Sequence, residues 1–332
     1  MPRTSPTRPA IGLKSACADS ILPDTLRTAE YRAAPSMSLL LLRLIARLPL
    51  GWVHALGGWL GLAVYALSPT YRRRLRANLA RAGFDVDALC LACAREAGKQ
   101  AVETAWVWLR PAADLRAVMQ VVDGAVEREA IASGRPVIYL TPHLGCFEIT
   151  AQYCVLNAWQ PPRSLTALYR IPRKEILRPL VELGRTRNGV ELAPASLGGV
   201  RQLLRALKRG NAVGILPDQV PSAGDGVWVP FFGRAAYTMT LPGKLAHAAN
   251  AIVLFIFGER VRAGSGTGAG FRIHFHALSA PLSGEAERDA RQINLDLEHV
   301  IRTCPTQYLW GYNRYKRPAG VPPPPEKDQA GR

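Results

Sequence analysis

Between residues 118 and 303 short apolar, β-rich runs alternate with segments of helical period. Strands are expected at 118–122, 137–140, 165–169, 212–216, 227–232, 252–257 and 271–277. Helices are expected at 124–133, 145–158, 173–187, 198–209, 238–249 and 285–303. Parallel strands need a crossover of a dozen or more residues, usually a helix, so this alternation predicts an α/β fold with a mostly parallel central sheet flanked by helices. The run Val137-Ile138-Tyr139-Leu140 is apolar throughout, as a strand covered on both faces requires. With 332 residues, 48% of them apolar, the chain can build a sizeable core, which excludes a disordered chain, a coiled coil and a collagen-like fibre.

The N-terminal third reads differently. Residues 48–67 (LPLGWVHALGGWLGLAVYAL) are 20 positions without a formal charge, about one bilayer crossing at ~1.5 Å per residue. Trp52, Trp59 and Tyr65 are residue types found at the lipid–water boundary, and Tyr71-Arg72-Arg73-Arg74-Leu75-Arg76 follows. Arginines on that side predict a cytoplasmic C-terminal flank. Pro49, Gly57-Gly58 and the early Arg43 and Arg47 leave three readings open: a span, a helix lying in one leaflet, or a buried core helix. Residues 37–69 are read as a membrane-anchoring segment and 70–317 as the main domain. Residues 1–36, rich in Pro, Ser, Thr and Arg, hold no apolar h-region of a signal peptide. They are read as a disordered extension or a start placed ahead of Met37. The Pro-rich 318–332 is read as a loose tail.

Lys plus Arg is 42 against 25 Asp plus Glu, a formal charge of +17. Residues 38–110 carry a net +6 and 160–210 a net +8, so the excess is clustered. A clustered basic surface suits anionic lipid, an acidic protein or nucleic acid. The last is disfavoured by the apolar segment and by the absence of a nucleic-acid-binding motif.

The clearest chemistry is in Leu140-Thr141-Pro142-His143-Leu144-Gly145-Cys146-Phe147-Glu148. A strand is expected to end at Leu140 and a helix to begin near Gly145. Ligands of open α/β sheets bind beyond the carboxyl ends of the strands, which places His143 where chemistry occurs. Glu148, five residues on, is expected to reach back to the imidazole, fix its tautomer and leave the other nitrogen free to take a proton from an alcohol. Asp218 follows the strand expected at 212–216 and lies at the same edge.

The His143-x4-Glu148 stretch resembles the motif of glycerolipid-type acyltransferases. With Gly145, Phe147 and Glu rather than Asp at 148, it resembles the lauroyl/myristoyl acyltransferases of lipid A biosynthesis. Further blocks extend the resemblance over most of 38–317: Gly184-Arg185-Thr186-Arg187, Leu216-Pro217-Asp218-Gln219, Val229-Pro230-Phe231-Phe232-Gly233 with Ala236 and Thr238, and Gln307-Tyr308-Leu309-Trp310 with Arg314 and Lys316. The resemblance implies an enzyme of the cell inner membrane with its catalytic domain on the cytoplasmic side. It would move an acyl chain from the thioester of acyl carrier protein to a hydroxyl of an anionic glycolipid, a lipid A precursor; a lysophospholipid or other polar lipid is the alternative acceptor. It implies His143 as general base oriented by Glu148, Arg185 or Arg187 on a phosphate of acceptor or donor, and Asp218 as the orienter of those arginines or as site wall. Backbone N–H groups just after His143 are the expected oxyanion donors. No cofactor is implied.

Other features point to no separate chemistry. Cys90-x2-Cys93 has no second pair and lies in a helical pattern, whereas a zinc site wants four ligands. Cys146 is read as a small packing residue rather than a nucleophile. His274 and His276 share one side of a strand and are read as partly exposed. No zincin motif, P-loop or dinucleotide fingerprint is present.

Overall fold

A computed structural model describes residues 37–157, 164–170, 172, 178–261 and 268–325. The segment read as an N-terminal extension lies outside the described residues. The described chain opens with α1 (Met37–Arg47), α2 (Leu50–Leu67), α3 (Pro69–Arg81) and α4 (Val86–Leu109). Pro49 splits the apolar run: it has no N–H to donate and disfavours helical backbone at Leu48. The freed carbonyls are capped, that of Leu48 by the Trp106 indole (3.1 Å) and those of Arg47 and Leu48 by Arg110 (3.1 and 3.0 Å).

α2 is long and apolar enough to cross a membrane, and a third of it is buried. It lies along α4 with backbones touching. A Cβ on Gly61 would fall 2.0 Å from the Ala94 carbonyl oxygen, and one on Gly98 2.1 Å from that of Gly57. Such glycine spacing lets two helices meet without side chains between them. Val53, His54, Gly57, Gly58 and Gly61 face inward. The outer face is apolar and exposed: Trp52 is 72% and Trp59 71% accessible, with Leu56, Leu60, Val64 and Leu67 beside them. One face of the helix therefore belongs to the core, and the other is an open apolar surface.

The remainder is the α/β body: α5 (Ala112–Ala117), β1 (Met119–Asp123), α6 (Ala125–Ala132), β2 (Val137–Leu140), α7 (Phe147–Asn157), β3 (Leu165–Tyr169), α8 (Arg178–Arg185), β4 (Val190–Pro194), α9 (Leu197–Lys208), β5 (Ala212–Ile215), β6 (Gly226–Phe231), β7 (Arg234–Met239), α10 (Leu241–Ala249), β8 (Ile252–Val261), β9 (Gly270–Ala277) and α11 (Ala286–Thr303). Seven strands form one sheet in the order β1-β9-β8-β2-β5-β3-β4. β8, β2, β5, β3 and β4 run parallel; β9 is antiparallel to β8, and β1 is parallel to β9. Period-two alternation splits the core between the two faces. Ile138 and Leu140 pack with α9, α10 and α11 residues such as Leu203, Leu245 and Leu297. Val137 and Tyr139 pack with Trp106 of α4, Ala130 of α6 and Ile149 of α7.

Three expectations are corrected here. β4 was not among the expected strands; it is an edge strand, where its Pro194 is tolerated. The stretch 238–249, expected to be wholly helical, begins in β7, which pairs with β6 as a hairpin. Phe232 and Gly233 turn this hairpin with positive φ (46° and 71°), the backbone hand a tight two-residue turn needs. Glu298 of α11 accepts the Phe232 N–H at 2.6 Å, so the Pro-Phe-Phe-Gly block serves packing. Finally, 318–325 is not loose. Val321 is buried with Val220 and Tyr237, and the Trp228 indole donates to the Pro322 carbonyl at 3.0 Å.

Candidate active site

β2 and β5 are parallel neighbours, so the loops that leave their carboxyl ends emerge side by side. The Thr141 N–H donates to the Ile215 carbonyl at 2.8 Å and holds the loops in register. One loop carries His143 and the other Asp218. Asp218 is 2% exposed. One carboxylate oxygen meets the His143 Nδ1 at 2.9 Å, and the other accepts the His143 backbone N–H at 2.9 Å. Burial pushes the Asp218 carboxyl up, but the His143 contacts and the nearby Arg314 outweigh it and hold the group below the ordinary carboxylate range. An ionised Asp218 requires the proton on Nδ1, which leaves the lone pair on Nε2. That nitrogen lies 3.3 Å from the Gln219 side-chain nitrogen.

The expectation that Glu148 orients the imidazole is therefore corrected: Asp218 holds that position, and it bonds neither Arg185 nor Arg187. The reason is backbone geometry. α7 starts at Phe147 rather than at Gly145, and Gly145 has φ +61°, so 143 and 148 do not share a helical face. A Cβ at Gly145 would lie 2.1 Å from the Gly258 carbonyl oxygen. Phe147 packs on His143 instead, with ring centroids 4.8 Å apart. Glu148, 7% exposed, turns toward α4 and α8. It accepts from the Trp108 indole at 3.0 Å and from Arg185 through Nε (3.1 and 3.2 Å) and Nη2. Arg185 also lies 5.8 Å from the Trp108 ring centroid, and Arg187 donates to the Trp108 carbonyl at 2.7 Å. Both arginines thus fasten α8 and its following turn to the end of α4.

Beside this cluster a narrow slot of about 50 Å³ runs between α7 and the sheet. Phe147, Glu148 and Arg185 line it together with Thr141, Ala151, Cys154, Leu165, Ala167, Val190 and Gly214. Its lining is mostly apolar, and its charged residues are the Glu148–Arg185 pair.

The His143 loop is fixed on several sides. Gly145 N–H donates to the Gln307 carbonyl (3.1 Å), Cys146 N–H to the Gly258 carbonyl (2.7 Å) and Leu309 N–H to the His143 carbonyl (3.1 Å). Two of the amides expected to form an oxyanion hole are thereby occupied. The first-turn amides of α7, at Phe147 and Glu148, are donors for which the helix supplies no acceptor.

The family model of bacterial lipid A biosynthesis acyltransferases matches residues 24–317. The chain belongs to that family. The match begins within the segment read as an extension. The lipid A biosynthesis acyltransferase of Haemophilus influenzae is 30% identical over 184 residues, covering 55% of this chain and 54% of that protein. The lipid A biosynthesis lauroyltransferase of Escherichia coli is 26% identical over 227 residues, and the palmitoleoyltransferase of the same organism 25% over 228; each match covers 68% of this chain and 71% of the relative.

Within this acyltransferase fold several residues have places that sequence reasoning did not assign. Gln219 was noted only as part of a turn, yet it contacts the free imidazole nitrogen. Trp108 carried no motif signal; its role emerges only when α4, α7 and α8 meet. Gln307 and Leu309 strap the His143 loop through backbone bonds, which explains why the Gln-Tyr-x-Trp block is ordered with the other motifs. Burial pushes the Cys146 thiol well above its ordinary value, which suits packing and not a thiolate nucleophile. His274 pairs with Glu259 at 2.8 Å, and both His274 and His276 stack on Phe257.

Proposed function

We propose that this family member transfers a fatty acyl chain from the thioester of acyl carrier protein to a hydroxyl of a lipid A precursor. The observation that carries the reading is the buried Asp218 on Nδ1 of His143, with Nε2 carrying its lone pair beside the Phe147 wall of an apolar slot. The slot, about 50 Å³ as it stands, widens to take the alkyl chain, which places the thioester carbonyl near Phe147 and Glu148. His143 Nε2 removes the proton from the acceptor hydroxyl. The hydroxyl oxygen bonds to the carbonyl carbon, and the developing oxyanion meets the first-turn amides of α7. The carbon–sulfur bond then breaks, and the thiolate takes the proton from the imidazolium. No acyl-enzyme is needed, because a thiolate already leaves well. Glu148 and Arg185 form the charged rim of the slot. Glu148 occupies the Nε–H and one N–H of Nη2 of Arg185, so Arg185 would offer a phosphate its Nη1 group and the second N–H of Nη2.

Membrane attachment belongs to the same proposal. The exposed face of α2 continues into exposed Leu40, Leu41 and Leu44 of α1, and Arg43, Arg47 and Arg73 flank it. Such a face lies in the interface of an anionic bilayer. Because α2 is pressed along α4, which carries Arg95, Glu96, Lys99 and Glu103, an in-plane setting suits it better than a span. The soluble donor puts the catalytic body on the cytoplasmic side of the inner membrane.

The test is mass spectrometry of lipid A from cells with and without the gene. Loss of one acyl mass, restored by the wild type and not by His143→Ala, is expected. Unchanged lipid A would overturn the acceptor, and a new difference in the polar lipids would then name another. Purified full-length protein is expected to use acyl carrier protein thioesters with a much higher kcat/KM than coenzyme A thioesters; equal values would remove the carrier protein.

A further inference from the structure

Behind the His143 loop lies an ion network that the reaction does not use directly. Arg260 of β8 is 4% exposed and Glu103 of α4 is fully buried. They meet in a fork, with Arg260 Nε 2.9 and 3.0 Å from the two carboxylate oxygens and Nη2 2.7 Å from one of them. Arg260 Nη1 reaches Glu96 at 3.2 Å. Nη2 also donates to the Gly145 carbonyl at 2.8 Å, where the Gln100 side chain donates at 3.0 Å. On the far side of Glu103, His54 Nε2 sits 2.9 Å from Oε2. His54 belongs to α2, and the unbroken chain of contacts runs His54–Glu103–Arg260–Gly145.

Buried ion networks are poor stabilisers, since desolvation offsets most of the attraction and well-packed apolar residues often do as well. Stability alone therefore does not explain this one. Its position does. It grips the Gly145 backbone carbonyl of the His143 loop, at a residue whose positive φ sets the direction of the loop. The two neighbouring N–H groups are fixed by Gln307 and Gly258. Burial raises the Glu103 carboxyl, but Arg260 and His54 outweigh it and hold the group down at about 2, so the fork stays charged.

We infer that His54, Glu103 and Arg260 are positioning residues that make the seating of α2 on α4 part of the geometry of the His143 loop. α2 is thus more than an anchor: withdrawing it removes one partner from Glu103, loosens the grip of Arg260 on Gly145 and shifts the base. A base misplaced by an ångström loses ~10²-fold in rate. This inference rests on the proposed role of His143 for its kinetic arm only.

The test uses full-length protein in lipid nanodiscs. Amide hydrogen exchange over 143–148 and acyl-transfer kinetics are compared in the wild type, His54→Ala and His54→Gln. The glutamine variant keeps a donor for Glu103. Expected are faster exchange at 144–146 and a ~10-fold fall in kcat with KM nearly unchanged in His54→Ala. Recovery of wild-type behaviour is expected in His54→Gln. Wild-type exchange and kcat in a folded His54→Ala would overturn the relay, as would equal losses in His54→Gln. If His54→Ala does not fold, Arg260→Lys, which keeps the charge beside Glu103 but loses the fork, must show the same loosening at 144–146 or the relay fails. A wild type that transfers no acyl group refutes the function reading instead, and the exchange arm still decides the relay.

Discussion

His143 and Asp218 come from two loops 75 residues apart in sequence, and this is why local spacing misled. His-x4-Glu is legible as a motif, but its physical meaning depends on where α7 begins. Two residues of delay, set by the left-handed Gly145, turn Glu148 away from the imidazole. Asp218 was legible as an edge residue and not as the orienter, because only the β2–β5 register brings it under His143. Asp218→Asn removes the charge that fixes the Nδ1 proton. It is expected to lower kcat ~10²–10⁴-fold with a small change in KM, measured by steady-state acyl transfer. Ala167→Leu adds three carbons to the lining of the slot. It is expected to depress transfer of longer chains more than shorter ones, read by supplying mixed acyl donors and weighing the products.

Elements were most legible where tertiary context agreed with local pattern. β3 is found at its expected bounds, and β2 and β5 read as strands because each is an apolar run buried on both faces of the sheet. The misses were β4 and β7, each with residues that local preference assigns elsewhere: proline and glutamate in β4, paired alanines in β7. Edge position rescues the first, and hairpin pairing the second. The apolar N-terminal run was legible as amphiphilic only after α4 was seen to take up its glycine face. Gly61→Leu forces a side chain into the Ala94 carbonyl. It is expected to lower stability by about 1–3 kcal/mol and to separate α2 from α4, visible as a lower Tm and lost crosslinking between cysteines placed at 58 and 95.

Charge and apolar surface act on the molecule as a whole. Trp52→Glu combined with Trp59→Glu is expected to abolish sedimentation with anionic vesicles while leaving stability within about 0.5 kcal/mol, since both side chains are exposed. Retained sedimentation would place the contact elsewhere. Acid should act through the buried carboxylates. Glu103, held at about 2, contributes stability that is complete above its unfolded value of about 4.3 and is lost as pH falls from there toward 2; Asp218 is depressed in the same direction. The part of thermal melting that these two carboxylates govern is therefore expected to be unchanged from pH 7 to 5 and to fall steeply below. The strap of Gln307 and Leu309 on the His143 loop has a consequence in time. A ribosome releases α1 and α2 long before residues 307–309, so the membrane face proposed for these helices is exposed to a bilayer before the His143 loop can be clamped.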